Sequence, residues 1–263
     1  MNENKSINSL KKQLVAAVAM VCVAAVALGS STYAWFVQSS KVSAIGMSVQ
    51  ATAEGGIEIS NAEKKSWGTS AATTSATATL YPTSTSNVKT WYHAQAEQSV
   101  DHKAKAGTYS TLTLDETGVE TTSTHQYYQV NEFTIRATAG TEATDLKIDK
   151  VTATGQADTL ALDKSLRVAV KIGENNPIFF SPADGNTSYS VWSGSGDTPT
   201  VSVTSNDGKT QVDSGVSKVT STGVVVKVYV YYEGEDTEHK SSNVTGTTID
   251  QMTVQLDFSA SVS

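Results

Sequence analysis

The run at residues 224–232, VVVKVYVYY, limits the possible folds more than any other part of the sequence. β-Branched and aromatic side chains of this kind fit a pleated strand better than a helix. The even-numbered positions form one apolar row, and the other side also carries large apolar residues, namely Val225, Tyr229 and Tyr231. Because both faces are apolar, the run predicts a central strand that is covered on both sides.

Other stretches alternate apolar and polar residues with a period of two, which is typical of strands with one buried face. They occur at residues 42–60, 126–137, 146–151, 166–172, 189–191, 201–203 and 252–258. In the strand at 166–172 the even-numbered positions are expected in the core, whereas Arg167 and Lys171 are expected in water. Glycine-containing turns at residues 55–56 and 207–208 separate neighbouring strands.

These patterns predict an all-β fold, an antiparallel and jelly-roll-like β-sandwich with long Ser/Thr-rich loops and at most short helices. One sandwich domain is expected over residues 35–263, with a loop-rich insertion near residues 61–124. In that insertion, residues 61–82 are mostly Ala, Thr and Ser and should form a long loop or a poorly paired edge. Residues 87–98 lack Gly and Pro and are expected to form a short helix.

A hydrophobic signal helix is expected at residues 1–34, ahead of the sandwich. Two lysines precede an uncharged run at residues 14–36, and small residues lead up to Ala34, which together give the three parts of a secretory signal. Cleavage after Ala34 leaves Trp35 as the new amino terminus. The alternative is retention as a membrane anchor, because about 24 uncharged residues are enough to cross a bilayer as a helix.

Charge and cysteine content exclude several classes of protein. Removal of residues 1–34 takes away three lysines and one glutamate, so 19 basic and 26 acidic residues become 16 and 25, a net charge of −9. An acidic chain without a basic cluster repels phosphate backbones, which argues against nucleic acid as a partner. The single cysteine, Cys22, lies in the signal, so the mature chain has neither a disulfide nor a thiolate zinc site.

The segment TYAWF at residues 32–36, followed by an alternating strand, resembles the export signals and mature starts of the TasA/camelysin family of secreted Gram-positive surface proteins. The resemblance covers residues 11–60. It implies cleavage by a specialised signal peptidase, a jelly-roll β-sandwich, and polymerisation into extracellular fibres of the biofilm matrix. The implied partners are further copies of the chain, joined head to tail, with other matrix or cell-surface components as additional candidates. The implied location is extracellular, at the cell surface.

In that scheme the mature amino-terminal segment of one subunit adds as a strand to the next. The expected donor residues are Trp35, Phe36, Val37, Val42, Ile45, Met47 and Val49. Large apolar side chains at a free chain end are poorly buried, and insertion along an open sheet edge of a neighbour pairs the backbone and buries those side chains together. Head-to-tail contacts of this kind do not close on themselves and therefore produce a filament.

The sequence predicts no catalytic residue, no metal site and no cofactor. A zinc peptidase needs a spacing such as His-Glu-x-x-His, which places two imidazoles and a carboxylate on one helix face. The four histidines lack this spacing and are expected in loops: His93, His102, His125 and His239. The metallopeptidase activity that the camelysin resemblance also suggests is therefore the least favoured function.

Two further features leave alternatives open. Carboxylates at residues 233–238 beside His239 could bind a hard cation, although a solvated turn is favoured. A non-polymerising or membrane-tethered adhesin, the main alternative to a fibre subunit, would bind through Trp67, Trp91 and Trp192. Polymerisation predicts an unpaired amino-terminal strand or an exposed groove, an adhesin predicts an aromatic platform, and an enzyme predicts polar side chains that converge in a pocket.

Overall fold

The computed structural model divides into two compact units, Met1–Ser39 and Ser40–Ser263. It describes residue 20 and residues 42–45, 48–54, 56–62, 66–74, 78–93, 111–154, 165–182, 188–191, 200–204, 211–234, 249–250 and 253–262. Apart from Met20, the predicted signal, with its predicted cleavage site at Ala34 and Trp35, lies outside these residues. Among the described residues, none forms a helix of the length and apolar character needed to cross a membrane.

All named elements of the described residues are strands. They are β1 (Val42–Ile45), β2 (Ser48–Glu54), β3 (Ile57–Asn61), β4 (Ser70–Thr74), β5 (Ala78–Leu80), β6 (Thr83–Ser84), β7 (Tyr92–His93), β8 (Tyr128–Ala137), β9 (Ala143–Thr154), β10 (Leu166–Ile172), β11 (Ile178–Phe180), β12 (Ser188–Ser190), β13 (Thr200–Ser202), β14 (Val212–Val219), β15 (Val224–Tyr232), β16 (Ile249–Asp250) and β17 (Thr253–Val262). Sheet I has the order β11-β10-β15-β8-β3, and sheet II has the order β14-β9-β17-β2-β4.

Sheets I and II pack face to face around one apolar core. Its largest fully buried apolar side chains include Phe133 of β8, Phe180 of β11 and Phe258 of β17. Within these two sheets every strand pair is antiparallel except β2 with β17. The predicted all-β sandwich is confirmed.

Strand β15, the VVVKVYVYY run, lies at the centre of sheet I between β10 and β8. Its even-numbered residues, such as Val226 and Val228, face sheet II, and both are fully buried. On the opposite face, Tyr229 and Tyr231 are also buried, but by a separate group of residues. The prediction of a central strand covered on both sides is therefore confirmed.

A third layer covers the outer face of sheet I. We call its buried apolar residues, together with the strand residues they cover, the aromatic layer: Val88, Trp91, Tyr92, Leu112, Tyr127, Tyr128, Ala169, Phe179, Tyr189, Val191, Val201, Val203, Tyr229 and Tyr231. The Trp91 ring stacks on Tyr128 with 4.4 Å between ring centroids and meets Tyr231 edge-on at 5.1 Å. Because sheet I is covered on both faces, the described part of the chain contains three layers.

The short helix expected at residues 87–98 is wrong for its described part. Residues 86–90 form bends, residues 92–93 form β7, and residues 94–98 lie outside the described residues. The Asn87 side chain accepts hydrogen bonds from the backbone amides of Lys89 and Thr90, both at 2.8 Å. Side-chain bonds of this kind offer the backbone an alternative to helical hydrogen bonds, and they explain the difference.

The expectation that Arg167 stays in water is also wrong, because the side chain is fully buried. The alternation in β10 correctly places Arg167 on the outer face of sheet I, opposite the Leu166 and Val168 side chains of the core. That face is not open to solvent at this point, since the aromatic layer covers it. Lys171, four residues further along the strand and on the same face, is partly buried, with its side chain 17% exposed.

Strands β1 and β2 pair with their neighbouring strands in the same register. In the parallel pairs the two residue numbers differ by a constant amount. Residue 45 of β1 pairs with residue 250 of β16, residue 48 of β2 pairs with residue 253 of β17, and the difference is 205 in both cases. In antiparallel pairs of one register the two residue numbers have a constant sum. Residue 42 pairs with residue 80 and residue 48 with residue 74, and the sum is 122 in both cases. The three-stranded sheet of β16, β1 and β5 therefore extends the ladder of β17, β2 and β4 towards the amino terminus.

The main core predicts a large loss of stability on truncation of Phe258, which is 1% exposed. Replacement by alanine should lower the free energy of unfolding by about 3–5 kcal/mol, because it removes apolar burial and leaves a cavity. Chemical denaturation measures this change. Ser217→Ala on the exposed side of β14 is the control and should stay within about 0.5 kcal/mol. Equal losses in the two variants would contradict the burial of Phe258 in the core.

Candidate functional site

The outer strands of the two sheets differ in how far they are protected against pairing with another chain. Strand β14, at one edge of sheet II, carries a bulge between Asp213 and Val216, with Gly215 at a φ of 73°. It also carries Lys218, whose ammonium group lies 2.7 Å from Glu142. Bulges and charged side chains are the usual means of blocking an edge. This edge is therefore protected.

Both edges of sheet I are covered by other parts of the chain. Gly68 bridges to Ile59 of β3, with N···O distances of 2.8 and 3.2 Å. At the other edge, the amide of Thr204 donates a hydrogen bond of 2.8 Å to the carbonyl of Phe179 in β11. These contacts occupy part of the backbone that a foreign strand would need.

The fourth edge, β4, has none of these protections in the part of the chain that the structure describes. Its sequence SAATT contains no charge and no proline, and its five residue pairs with β2 show no bulge. Ser70 and Ala72 are exposed, and the Thr73 hydroxyl donates a 2.6 Å hydrogen bond across the sandwich to Asn131 Oδ1. β4 is thus a fixed, uncharged edge, whereas the sequence predicted only a loop or a poorly paired edge here.

A cleft of about 750 Å³ opens where β4 begins. It lies between the turn from β2 to β3 and the segment that leads into β4, and its polar lining includes Thr52, Glu54, Glu58 and Ser70. Glu58 is held in place by Arg136 of the neighbouring strand at 2.9 Å. The cleft adds room for side chains directly beside the open edge.

The predicted donor residues fall into two groups. Trp35, Phe36, Val37 and Met47 lie outside the described residues. Val42 and Ile45 belong to β1, whose backbone pairs with β5 and β16 of the same chain. Val49 is fully buried in β2, between β17 and β4. These last three residues therefore have partners within their own chain.

The aromatic residues considered for an adhesin do not form an exposed platform in the described part of the chain. Trp91 is 3% exposed and belongs to the aromatic layer, so it is not available as a contact residue. Trp67 is half-buried, and the Arg136 guanidinium covers its ring at 3.8 Å from the centroid. Trp192 lies outside the described residues.

A buried polar cluster includes two tyrosines of the aromatic layer. The hydroxyl groups of Tyr189 and Tyr231 are 2.7 Å apart, and the Tyr189 hydroxyl donates to the carbonyl of Thr85 at 3.1 Å. Arg167 Nη1 donates to the Ser181 hydroxyl at 3.0 Å. No sequence pattern indicates this cluster, because its members lie far apart along the chain.

Burial and neighbouring charges keep the two tyrosines of this cluster protonated. Burial is the main cause that raises the pKa of both Tyr189 and Tyr231, and Glu233 raises both pKa values further. Arg167 opposes these effects. Glu233 is itself fully buried, so the interpretation of residues 233–238 as a solvated turn is wrong for this residue. The remaining acidic residues of that group lie outside the described residues.

A second polar cluster lies nearer the surface, where His93, Glu120 and His125 approach each other. His93 Nε2 is 3.6 Å from Glu120 Oε1, and the His125 ring stacks on Tyr81 with 4.0 Å between centroids. Burial lowers the pKa of His93, Glu120 raises it, and His125 lowers it again. Burial, together with Glu120, raises the pKa of Tyr127 to about 12.

Neither cluster provides a metal site. Among the residues that the structure describes, no group of three or more His, Cys, Asp or Glu side chains could hold a metal ion. His102 and His239 lie outside those residues. In the described part of the chain, the open edge at β4 and its cleft are therefore the features best suited to binding, and the partner they suit is an extended polypeptide.

Comparison with known proteins adds no assignment. Neither protein-family models, nor curated proteins, nor solved structures gave a match to this chain. The geometry of the sandwich and the amino-terminal sequence are therefore the grounds for proposing a function.

The buried tyrosine pair predicts a loss of stability in Tyr189→Phe. This change removes the hydroxyl that joins Tyr231 to the Thr85 carbonyl, and the partners it leaves behind are buried. The free energy of unfolding should fall by about 1–3 kcal/mol. Tyr229→Phe, on the same strand as Tyr231 but outside that hydroxyl pair, should change it by less than about 0.5 kcal/mol. Chemical denaturation of both variants tests the difference, and similar values would contradict it.

Proposed function

We propose that the protein is a secreted structural subunit of an extracellular fibre, assembled when the amino-terminal segment of one copy adds as a strand to the next. The observation that carries this proposal is the uncharged edge at β4, which pairs with β2 on one side and with no other strand of the described residues. An unprotected edge presents a row of backbone donors and acceptors to a further strand. The resemblance of residues 11–60 to the TasA/camelysin family supports the same function.

The proposed donor is the segment at residues 35–41. The backbone of β1 begins at Val42 and already has two partners in its own chain, so the donor is the part that precedes it. Seven extended residues span about 23 Å, and the five residues of β4 need about 17 Å. The segment is thus long enough to pair along the whole of β4, with its aromatic side chains at the free end.

The aromatic side chains decide whether the contact is stable. Backbone hydrogen bonds contribute about 0.5–1.5 kcal/mol each, so about five of them to a five-residue strand supply about 2.5–7.5 kcal/mol. The cost of association is about 4–15 kcal/mol, so the backbone bonds alone reach only its lower part. Burial of Trp35, Phe36 and Val37 adds roughly 1.5–3 kcal/mol for each side chain. We therefore expect residues 35–37 to determine the affinity, and the backbone pairing to determine the direction.

The partners in this proposal are other copies of the chain, with matrix or cell-surface components as further candidates and a signal peptidase during export. The net charge of −9 after removal of the signal gives no reason to expect nucleic acid. A membrane-tethered or non-polymerising adhesin remains the alternative. It requires a domain that stays monomeric at high concentration, so the same experiments separate the two functions.

Deletion of residues 35–37 tests the donor. The secreted protein should begin at Trp35 and form filaments that are visible by negative-stain electron microscopy. The shortened protein should remain monomeric, because it loses the apolar burial at the interface, while its β circular-dichroism spectrum is unchanged. Filaments of normal length and number after this deletion would show that these residues are not the donor.

Ala72→Lys tests the acceptor edge. Ala72 is exposed in β4, so lysine should leave the fold intact and place a charge where the donor strand is expected to pair. Filament formation should fall at least about tenfold, which corresponds to a loss of about 1.4 kcal/mol in contact free energy. Ser217→Lys makes the same charge change on the protected edge β14 and should polymerise normally. Loss of filaments in both variants, or in neither, would contradict an acceptor at β4.

A further inference from the structure

The cleft at β4 lies at one end of that strand. β4 runs antiparallel to β2, and its first residue, Ser70, pairs with Thr52. Both of these residues line the cleft, and Ser70 is the one residue of β4 that does so among the described residues. A strand that adds to β4 therefore meets the cleft with only one of its two ends.

The charge that lines this cleft is negative. Within the described part of the chain, its charged lining residues are Glu54 and Glu58. Glu58 Oε2 accepts hydrogen bonds from Arg136 Nε at 3.1 Å and from Arg136 Nη2 at 2.9 Å, so the guanidinium compensates this carboxylate. Glu54 is exposed at the end of β2, and its ladder partner in β17 is the uncharged Ser259. Glu54 therefore gives the cleft a carboxylate that suits a cationic group.

The proposed donor is two residues longer than the strand that accepts it. The donor, residues 35–41, has seven residues, and β4 has five. If residues 37–41 pair along β4 in the parallel direction, the first two residues of the donor extend about 7 Å past Ser70. They then enter the cleft. Antiparallel pairing would place the same two residues beyond Thr74, away from the cleft.

Glu54 lies at the level that the extended donor reaches. It is two residues beyond Thr52, the residue of β2 that pairs with the start of β4. A strand added to β4 lies two strand spacings, about 10 Å, from β2. The chain that leads into β4 comes from sheet I, where Gly68 bridges to Ile59, and the cleft of about 750 Å³ opens beside it. The cleft therefore lies between Glu54 and the end of the donor.

We propose that this cleft binds the free α-ammonium group of Trp35 from a neighbouring copy, with Glu54 as its main partner and the donor parallel to β4. The contact depends on the proposed function, because cleavage after Ala34 creates the ammonium group and addition to β4 brings it to the cleft. Capture of an amino-terminal amine is a recurring mode of peptide recognition. A hydrogen bond between charged groups is roughly twice as strong as one between neutral groups. A chain that keeps its signal has an amide at this position and lacks the contact.

Acetylation of the amino terminus tests the contact in the full mature chain. An α-amino group has a pKa of about 7.7–8.0 and a lysine side chain one of about 10.4, so an acetylating reagent near pH 7 reacts mainly at the terminus. Mass spectrometry identifies the singly modified product. Acetylation removes the positive charge and leaves every side chain in place. The critical concentration for filament formation, measured by sedimentation, should rise at least about tenfold.

Glu54→Gln makes the matching change in the cleft. Glutamine keeps the size of the side chain and removes its charge, and the exposed position should leave the fold unchanged. The critical concentration should rise, and acetylation of this variant should raise it by a smaller factor than in the wild type, because the contact is already lost. Glu174→Gln changes a carboxylate that is 97% exposed and lies outside the cleft. This control should assemble normally and keep the full effect of acetylation.

The possible results separate the ammonium contact from the fibre itself. Filaments that form equally well from acetylated and unmodified chains would overturn the contact and leave the proposed fibre intact. The same factor for acetylation in the wild type and in Glu54→Gln would overturn the cleft as the binding site. An equal loss of assembly in Glu174→Gln and Glu54→Gln would also overturn it, since the effect would then be one of overall charge. If the unmodified mature chain forms no filaments, both the contact and the fibre are contradicted.

Discussion

The cover that the aromatic layer provides for the outer face of β15 is the interaction on which the rest of the structure depends. Strand β15 carries large apolar side chains on both faces, and a two-layer sandwich can bury only one of them. The stacked ring of Trp91 and the buried rings of Tyr229 and Tyr231 complete the burial on the other face. Each ring removes about 150–250 Å² of surface from water, which is a large contribution in a domain without disulfides.

Among the described residues a covering layer lies on sheet I alone, and this makes the two sides of the sandwich chemically different. The outer face of sheet II is polar and is joined by side-chain hydrogen bonds between strands, for example from Thr52 to Asp257 at 2.7 Å and from Ser259 to Asp149 at 2.8 Å. Its polar groups bond to each other, so this face offers little to a partner. The same sheet carries β4. For sheet II, the exposed backbone edge therefore matters more for association than the exposed face.

Sequence periodicity was sufficient for the long strands and insufficient for what lies over them. The alternation predicted β2, β8, β10, β15 and β17, because each has a clear apolar row. It missed β4, since a strand of Ser, Ala and Thr has little apolar contrast, and its place is set by pairing with β2. The period of two placed Arg167 on the correct face, but a local pattern carries no information about the layer that covers that face. His93 and Glu120 are brought together by tertiary contacts alone, which the sequence gives no means to predict.

The continuous register of β1 and β2 limits how copies could join at β4. A donor that leaves its own subunit ahead of Val42 and pairs along β4 of another copy uses two different surfaces, so each added copy repeats the same relation. Pairing of two β4 edges with each other uses one surface twice, and it closes as a dimer. A fibre therefore requires the amino-terminal segment as well as the edge. The absence of charge on β4 leaves the edge suited to pairing, while in the proposed contact the side chains of residues 35–37 supply the affinity and the backbone pairing sets the direction.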